Sequence, residues 1–342
     1  MVGLGRGTEP VRPASAEYAL HHDRLTELLS PAELRSAARS TLNAHYTHPR
    51  LAEAMWEAVR GLGVTGGRVL EPGCGAGTFI GLAPETAELI GVELDPTTAA
   101  ITAALYPHAE VRAESFADTR LPEGYVELAI GNVPFGSIAL SDRRHNPRGH
   151  SIHNHFLVKA LHLTRPGGLL AAITSRYTMD STNPAARREL ADLADLVFAV
   201  RLPEQTHQLA GTQVVTDLLV LRRRPAGRDA PGASWERVVD VDLDDGRQAR
   251  INEYFGAHPL QVVGQMSLGR SAYRDDELTV RADPADGDPI ELARGRITAS
   301  AELAAELGVG ALAHLGENAR GRVSRRKRPA LPRAGGAADR VL

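Results

Sequence analysis

The chain has 342 residues and a formal net charge of −3, so global charge does not mark a nucleic-acid binder and any such surface must be local. Cys74 is the lone cysteine, which excludes an intrachain disulfide and a cysteine-based zinc site. No apolar run approaches the roughly 20 residues that span a bilayer, and the amino end lacks the charged-then-apolar order of a signal peptide; a soluble, cytoplasmic protein without a membrane partner is expected.

Residues 1–16 are rich in Gly and Pro and are expected to be disordered. A helical segment is expected over 17–63. Within it Ser30-Pro31-Ala32-Glu33 reads as a helix start, with Ser as N-cap, Pro at the first helical position and Glu at the third. After Asn43-Ala44-His45-Tyr46-Thr47-His48-Pro49, the spacing of Leu51, Met55, Val59 and Leu62 predicts an amphipathic helix packed on the next domain. From Arg68 strands and helices alternate. Strands are expected at 68–70, 89–92, 126–130, 169–174, 196–201 and 216–221, with helices from Asp95-Pro96 to Ala104 and near 154–163. The pattern is that of an α/β doubly wound, mostly parallel sheet over 64–225, its late pair of strands forming an antiparallel edge. Beyond a Pro/Gly/Asp-rich linker, 226–300 reads as a small appended subdomain and 301–342 as a helical and disordered basic tail around Arg325-Arg326-Lys327-Arg328.

Two stretches carry chemistry. Glu71-Pro72-Gly73-Cys74-Gly75-Ala76-Gly77 follows a strand, and Gly73, Gly75 and Gly77 let the backbone turn tightly against a ligand. A phosphate-binding turn does not favour a carboxylate at Glu71, whereas a cationic methionine moiety does. Glu93 ends the next strand about 20 residues on, where an acid accepts hydrogen bonds from a ribose. A dinucleotide is the rival ligand, but the turn lacks its continuation into a long helix. The second stretch, Gly131-Asn132-Val133-Pro134-Phe135-Gly136, also sits at a strand's carboxyl end. The Asn132 side-chain oxygen and the Val133 carbonyl suit the two hydrogens of a planar amino group, and Phe135 suits stacking on its ring. A bland alternative is an Asn-Pro turn over a core Phe. Together the two stretches point to methyl transfer onto an amine, which requires positioning rather than a strong base or a metal.

These residues resemble the N6-adenine DNA methyltransferases whose cofactor motifs precede the catalytic motif, and most of all the methylase domain of large helicase–methylase proteins of plasmids and phages. The likeness runs over about 40–265, through residues 43–49, 71–77, 91–96, 131–136, 151–156, 174–177, 211–221 and 251–259. It implies a Rossmann-like S-adenosylmethionine-dependent methyltransferase fold, S-adenosylmethionine as cofactor, DNA as substrate with base flipping, and a restriction-modification setting. It further implies that Tyr46, Thr47 and Pro49 close over the methionine end of the cofactor. Val133 replaces the first Pro of the family's Asn-Pro-Pro-aromatic motif; the acceptor there is a backbone carbonyl, so the contact should survive. For the cofactor's adenine amino group Glu114 and Asp118 both stand open, and Phe116 is expected against the adenine ring.

The loop Arg143-Arg144-His145-Asn146-Pro147-Arg148-Gly149-His150 follows the catalytic motif directly. Its Arg143, Arg144 and Arg148 are the expected DNA contacts, with a solvated basic loop as the alternative. His145, His150, His153 and His155 match no common zinc spacing, and no metal is expected. Two other enzyme readings, a guanine amino group in RNA and a protein glutamine amide, share the Asn-Pro-aromatic chemistry. A third reading is a non-catalytic cofactor- or DNA-binding module that needs a helicase or specificity partner.

Overall fold

The computed structural model describes residues 23–31, 33–34, 47–210, 214–225, 234–269 and 277–309. The expectations for residues 1–16, Tyr46, the loop around Gly211 and the basic stretch 325–328 fall outside these residues.

Helix starts follow their caps. The Ser30 N–H donates to Glu33 Oε2 at 2.7 Å and the Glu33 N–H to Ser30 Oγ at 3.4 Å, the reciprocal capping pair read from sequence. Helix α1 (Pro49–Gly61) begins at its Pro, with the His48 side chain accepting the Arg50 N–H. Leu51, Met55, Val59 and Leu62 are all buried, as their spacing requires.

A seven-stranded sheet comes next, built from β1 (Gly67–Pro72), β2 (Ala87–Glu93), β3 (Glu110–Ala113), β4 (Val126–Asn132), β5 (Thr164–Ser175), β6 (Ala194–Leu202) and β7 (Thr216–Arg223). The strand order is β3-β2-β1-β4-β5-β7-β6. β7 runs antiparallel to both β5 and β6, and the neighbours from β3 through β5 are parallel. Helices α2 (Thr78–Gly81), α3 (Pro96–Leu105), α4 (Ile152–Leu163), α5 (Tyr177–Asp180) and α6 (Ala185–Leu193) lie between the strands. Two apolar clusters cover the two faces, which is why the central strands read as unbroken apolar runs.

The carboxyl-terminal segment comprises the hairpin β8 (Val238–Asp242) and β9 (Gln248–Asn252), helix α7 (Glu253–Ala257), the hairpin β10 (Gln265–Gly269) and β11 (Glu277–Arg281), and helix α8 (Pro289–Glu306). It is joined to the sheet at several points. The Val263 N–H donates to the Arg201 carbonyl at 3.0 Å, and Gln205 exchanges hydrogen bonds with the Ala282 backbone at 2.9 and 3.2 Å. Helix α8, which runs through the expected boundary at residue 300, buries Ala293 and Ile297 in the same cluster as α1.

A buried ionic group makes the junction. The Arg201 guanidinium donates to Asp217 Oδ1 at 2.8 Å and Oδ2 at 2.9 Å, and to Asp180 Oδ1 at 2.9 Å. Asp180 Oδ1 also accepts the Asn252 N–H at 2.9 Å, while the Asn252 amide donates to the carbonyls of Met179 and Trp235, both at 2.8 Å. Burial opposes the arginine's charge, but the two carboxylates outweigh it and hold the proton on Arg201. Removing one partner of such a group leaves bare buried charge. Arg201→Ala should therefore lower the unfolding free energy by about 3–5 kcal/mol in urea titrations; a loss below about 1 kcal/mol would mean that the group does not support the junction.

Candidate active site at the carboxyl edge of the sheet

β1 and β4 are neighbours, so the two chemistry-bearing stretches emerge side by side at their carboxyl ends. At β1 the glycine turn is held from three directions. The N–H groups of Gly73 and Cys74 both donate to the Val92 carbonyl, at 2.8 and 2.9 Å. Gly73, Gly75 and Gly77 have φ of 73°, 51° and 80°, in the left-handed region that favours glycine. A Cβ on Gly77 would lie 2.7 Å from the Tyr106 ring and 2.8 Å from Thr102, whereas one on Gly75 would meet open space. The turn is thus closely backed at one glycine and open at another, as a ligand cradle requires. It gives way to a helix of only 4 residues, in line with the missing long helix.

Glu71 and Glu93 frame this turn differently. Glu71 is 4% exposed; its Oε2 accepts the Ile80 N–H at 3.2 Å and so ties β1 to α2. Burial pushes its carboxyl well above the usual range, with the backbone N–H groups of Ile80 and Phe79 pulling the other way. Glu93, at the end of β2, accepts the Gly75 N–H at 2.9 Å through Oε2 and the Asp95 N–H at 2.8 Å through Oε1. Each of its oxygens has capacity for a second donor. Glu93 therefore stands beside the one glycine of the turn that opens to space. The next residue, Leu94, is 72% exposed and presents an apolar surface at the same strand end. Sequence reading passed over it, although an apolar residue between a strand-end acid and the Asp95 N-cap was a visible signal.

At β4 the ladder continues one residue past the strand, the Val133 N–H donating to the Ile173 carbonyl at 3.0 Å. Pro134 then has no N–H to offer and the strand stops. Gly131 packs over Glu71, where a Cβ would stand 3.4 Å from Glu71 Cγ. A Cβ on Gly73 would lie 3.6 Å from Pro134 Cδ and 3.7 Å from the Phe156 ring, so the two turns stand side by side, about one methyl group apart. Asn132, Pro134 and Phe135 are half-buried there and Val133 is buried. Thr47, just before α1, is buried as well.

Other expected site residues are placed elsewhere. Phe116 is 3% exposed; its ring packs 4.8 Å from that of Phe156 with the Lys159 ammonium 5.1 Å from its centroid. It forms floor rather than open surface. Glu114 sits at the end of the edge strand near Arg112, and its N–H donates to the Glu93 carbonyl at 3.0 Å. Cys74 is buried against Gly91, its thiol pushed up by desolvation and so inert.

The arginine-rich loop follows the catalytic turn in sequence but leaves it in space. It descends along α4: Asp142 Oδ2 accepts from Lys159 at 2.9 Å and contacts His155 at 3.2 Å, and the His145 ring lies 5.3 Å from that of His162 at the far end of the helix. Arg144 pairs with Glu123 at 2.8 Å, before the amino end of β4. That is roughly 15 Å from the catalytic edge, at 1.5 Å per helical residue. Arg148 pairs with Glu189 on α6 at 3.3 Å, and Arg143 is exposed on the same loop. Arg144 is thus held at the far end of α4 from the strand end at Asn132. The histidines are likewise used for packing and loop anchoring, and among the described residues no cluster of His, Cys, Asp or Glu could hold a metal ion.

No protein-family model matches the chain. Over 191 residues it is 27% identical to the defense against restriction protein B of Escherichia phage P1, a stretch that makes up 54% of this chain and 8% of the phage protein. The chain therefore spans less than a tenth of the length of that relative. Among solved structures it is similar to a putative class I S-adenosylmethionine-dependent methyltransferase from Listeria monocytogenes (TM-score 0.47, 16% identity, 55% of this chain and 63% of that one). It is also similar to a modification subunit of a putative type I restriction enzyme from Vibrio vulnificus (TM-score 0.46, 17% identity, 80% and 65%). The fold follows from the sheet itself. The order β3-β2-β1-β4-β5-β7-β6 with β7 reversed is the Rossmann-like arrangement of S-adenosylmethionine-dependent methyltransferases. Among the described residues no helix is long and apolar enough to cross a membrane.

Burial holds His145, His153, His155 and His162 neutral, and it pushes His153, at the start of α4, down to about 4. The unfolded chain binds a proton at each of these groups before the folded one does, so stability is full above pH ~6.5 and falls with acid. His153 alone should remove on the order of 3 kcal/mol between pH 6.5 and 4. Thermal melts over that range should show a falling Tm, and His153→Gln should flatten the slope.

Proposed function

We propose that this chain transfers a methyl group from S-adenosylmethionine to the N6 amino group of an adenine flipped out of DNA. The observation that carries the reading is that the neighbouring parallel strands β1 and β4 bring the glycine turn and the Asn132 turn to one edge side by side, which suits a cofactor cradle next to an amine-holding group. The resident groups suit the cofactor. Gly75 is open, Glu93 beside it has acceptor capacity for ribose hydroxyls, and exposed Leu94 suits the flat face of an adenine ring. Glu71, strained toward its neutral form by burial, regains its charge beside a cationic ligand. Gly73 and Gly77 shape the turn, Phe116 supports it from below, and Tyr46 and Thr47 close the methionine end.

When bound, S-adenosylmethionine supplies an electrophilic methyl on a sulfonium whose leaving group is neutral. The protein's task is to make a poor nucleophile attack it. An adenine amino nitrogen shares its lone pair with the ring; accepting its two hydrogens at the Asn132 side-chain oxygen and the Val133 carbonyl localises that pair on nitrogen. Phe135 stacks on the base, and the rigid Pro134 fixes the height of both acceptors. The nitrogen–carbon bond forms as the carbon–sulfur bond breaks, and the surplus proton on nitrogen passes to water. No residue has to act as a strong base.

The substrate class draws on the phage relative, whose name concerns defence against restriction. A restriction-modification setting, with a helicase or specificity partner for the whole protein, belongs to the same proposal. Arg143, Arg144 and Arg148 take part in it only if the DNA extends beyond the catalytic edge.

The test is transfer of labelled methyl from S-adenosylmethionine to unmethylated duplex DNA, followed by nucleoside analysis. Label in N6-methyladenine is expected, and label in RNA or protein instead would overturn the reading. Asn132→Ala should lower the transfer rate roughly a hundredfold or more while leaving cofactor affinity intact. Glu93→Ala should do the reverse at first order, weakening cofactor binding by about ten- to a hundredfold in calorimetry, as expected for lost hydrogen bonds to a charged group.

A further inference from the structure

If the loop after the catalytic turn points to the wrong edge, the nucleic acid must be held by something at the carboxyl edge. Two hairpins stand there. β5 ends at Ser175, next to β4 in a register that pairs Asn132 with Ile173, so Arg176 and Tyr177 follow within a few residues of the catalytic strand's end. Arg176 is fixed by Asp180 at 3.5 Å and Glu277 at 3.4 Å, and its guanidinium stacks 4.3 Å from the Tyr177 ring centroid. The ring is 38% exposed and its hydroxyl reaches Glu277 at 3.1 Å, at the start of β11. A groove opens here between the hairpins, lined by Arg176, Arg247, Gln248, Arg250, Leu268 and Leu278. Arg247 spans it, donating to the Leu268 carbonyl at 2.7 Å.

We propose that this groove holds the sugar-phosphate backbone of the DNA strand flanking the target base, with Arg247 and Arg250 on phosphates and Tyr177, backed by Arg176, stacked on a neighbouring base. The inference rests on the methyltransferase reading above and names the surface that presents its substrate. Guanidinium groups along a groove beside an exposed aromatic ring suit an unstacked nucleic-acid strand, which offers anionic backbone and π faces together. The carboxylates nearby do not forbid it. Arg247 pairs with Asp245 at 2.7 Å and Arg250 with Asp240 at 2.8 Å, but all four side chains are 43–57% exposed. Such solvated pairs hold weakly, and a phosphate oxygen pair competes for the same guanidinium geometry. The groove is also rigid toward the catalytic turn, because α5, immediately after Arg176, carries the Asp180 that anchors both β6 and Asn252.

The test is fluorescence anisotropy of labelled single-stranded and duplex oligonucleotides against the full chain with saturating S-adenosylmethionine, over a salt series, with methyl transfer measured on the same preparations. Arg247→Ala with Arg250→Ala should weaken binding about tenfold or more at low salt and flatten the salt slope by about 1.4–1.8, the loss of two phosphate contacts. Tyr177→Ala should raise KM while leaving kcat nearly unchanged. Asp240→Asn with Asp245→Asn, which removes the carboxylate partner of each arginine, should tighten binding severalfold and so keeps the test sharp should the double arginine variant fold poorly. Unchanged affinity and slope in the arginine variant would overturn the groove, and so would a wild-type chain that binds no oligonucleotide at low salt. A chain that binds oligonucleotide through these residues yet transfers no methyl to it would leave the groove standing and overturn the enzymatic reading instead.

Discussion

The buried group of Arg201, Asp180 and Asp217 is the constraint on which the architecture turns. Three ionisable side chains lie in one interior space, drawn from α5, β6 and β7, and the carboxylates offset the desolvation of the Arg201 guanidinium. A hydrophobic cluster would tolerate sliding among these elements, whereas a bidentate guanidinium–carboxylate pair fixes both distance and angle. Asn252 extends the same bonding to the carboxyl-terminal segment, satisfying backbone carbonyls at Met179 and Trp235 that would otherwise be buried without donors. The Phe255 ring closes the group from above, 4.3 Å from the Arg201 guanidinium. The β8–β9 hairpin is therefore fixed against the sheet.

One close approach beneath the glycine turn depends on a missing side chain: a Cβ on Gly91 would lie 2.9 Å from both Cys74 Sγ and Ile80 Cδ1. Parallel neighbours β1 and β4 then deliver the glycine turn and the Asn132 turn to one edge, and the sheet order does the assembly that no local motif could.

Much of this was legible in the sequence because it is local. The capping pair at Ser30, the Asp95 N-cap accepting the Thr98 N–H at 2.8 Å, the buried stripe on α1 and the strand ends at Glu93 and Asn132 each follow from a few adjacent residues. The antiparallel late pair was anticipated too, although a 3-10 helix over Glu204–Ala210 lies between the two runs. Four things were not. β3 is a 4-residue edge strand with half-exposed side chains and no apolar run to announce it. β5 begins at Thr164, ahead of the expected 169, because Pro166-Gly167-Gly168 reads as a turn yet is carried within the strand through a register shift opposite 126–128. The role of α8 depends on burying Ala293 and Ile297 with α1, a contact more than two hundred residues apart along the chain. The arginine loop fails for a related reason: nearness in sequence to the catalytic turn does not give nearness in space, and α4 carries the loop away.

The histidines and arginines show how composition misleads when burial is unknown. His145, His153, His155 and Lys159 lie within fifteen residues, and all four are buried around one carboxylate or the helix start. Asp142 gathers Lys159, His155 and the His145 N–H, and their combined pull overcomes its own desolvation and keeps it ionised. Charge spent in this way pins a loop to a helix and leaves nothing for a ligand. The arginines of the hairpins are in the opposite condition, exposed, loosely paired and facing a groove. In a chain that is slightly acidic overall, such exposed cations stand apart from the buried ones, and Arg176, Arg247 and Arg250 converge on one groove.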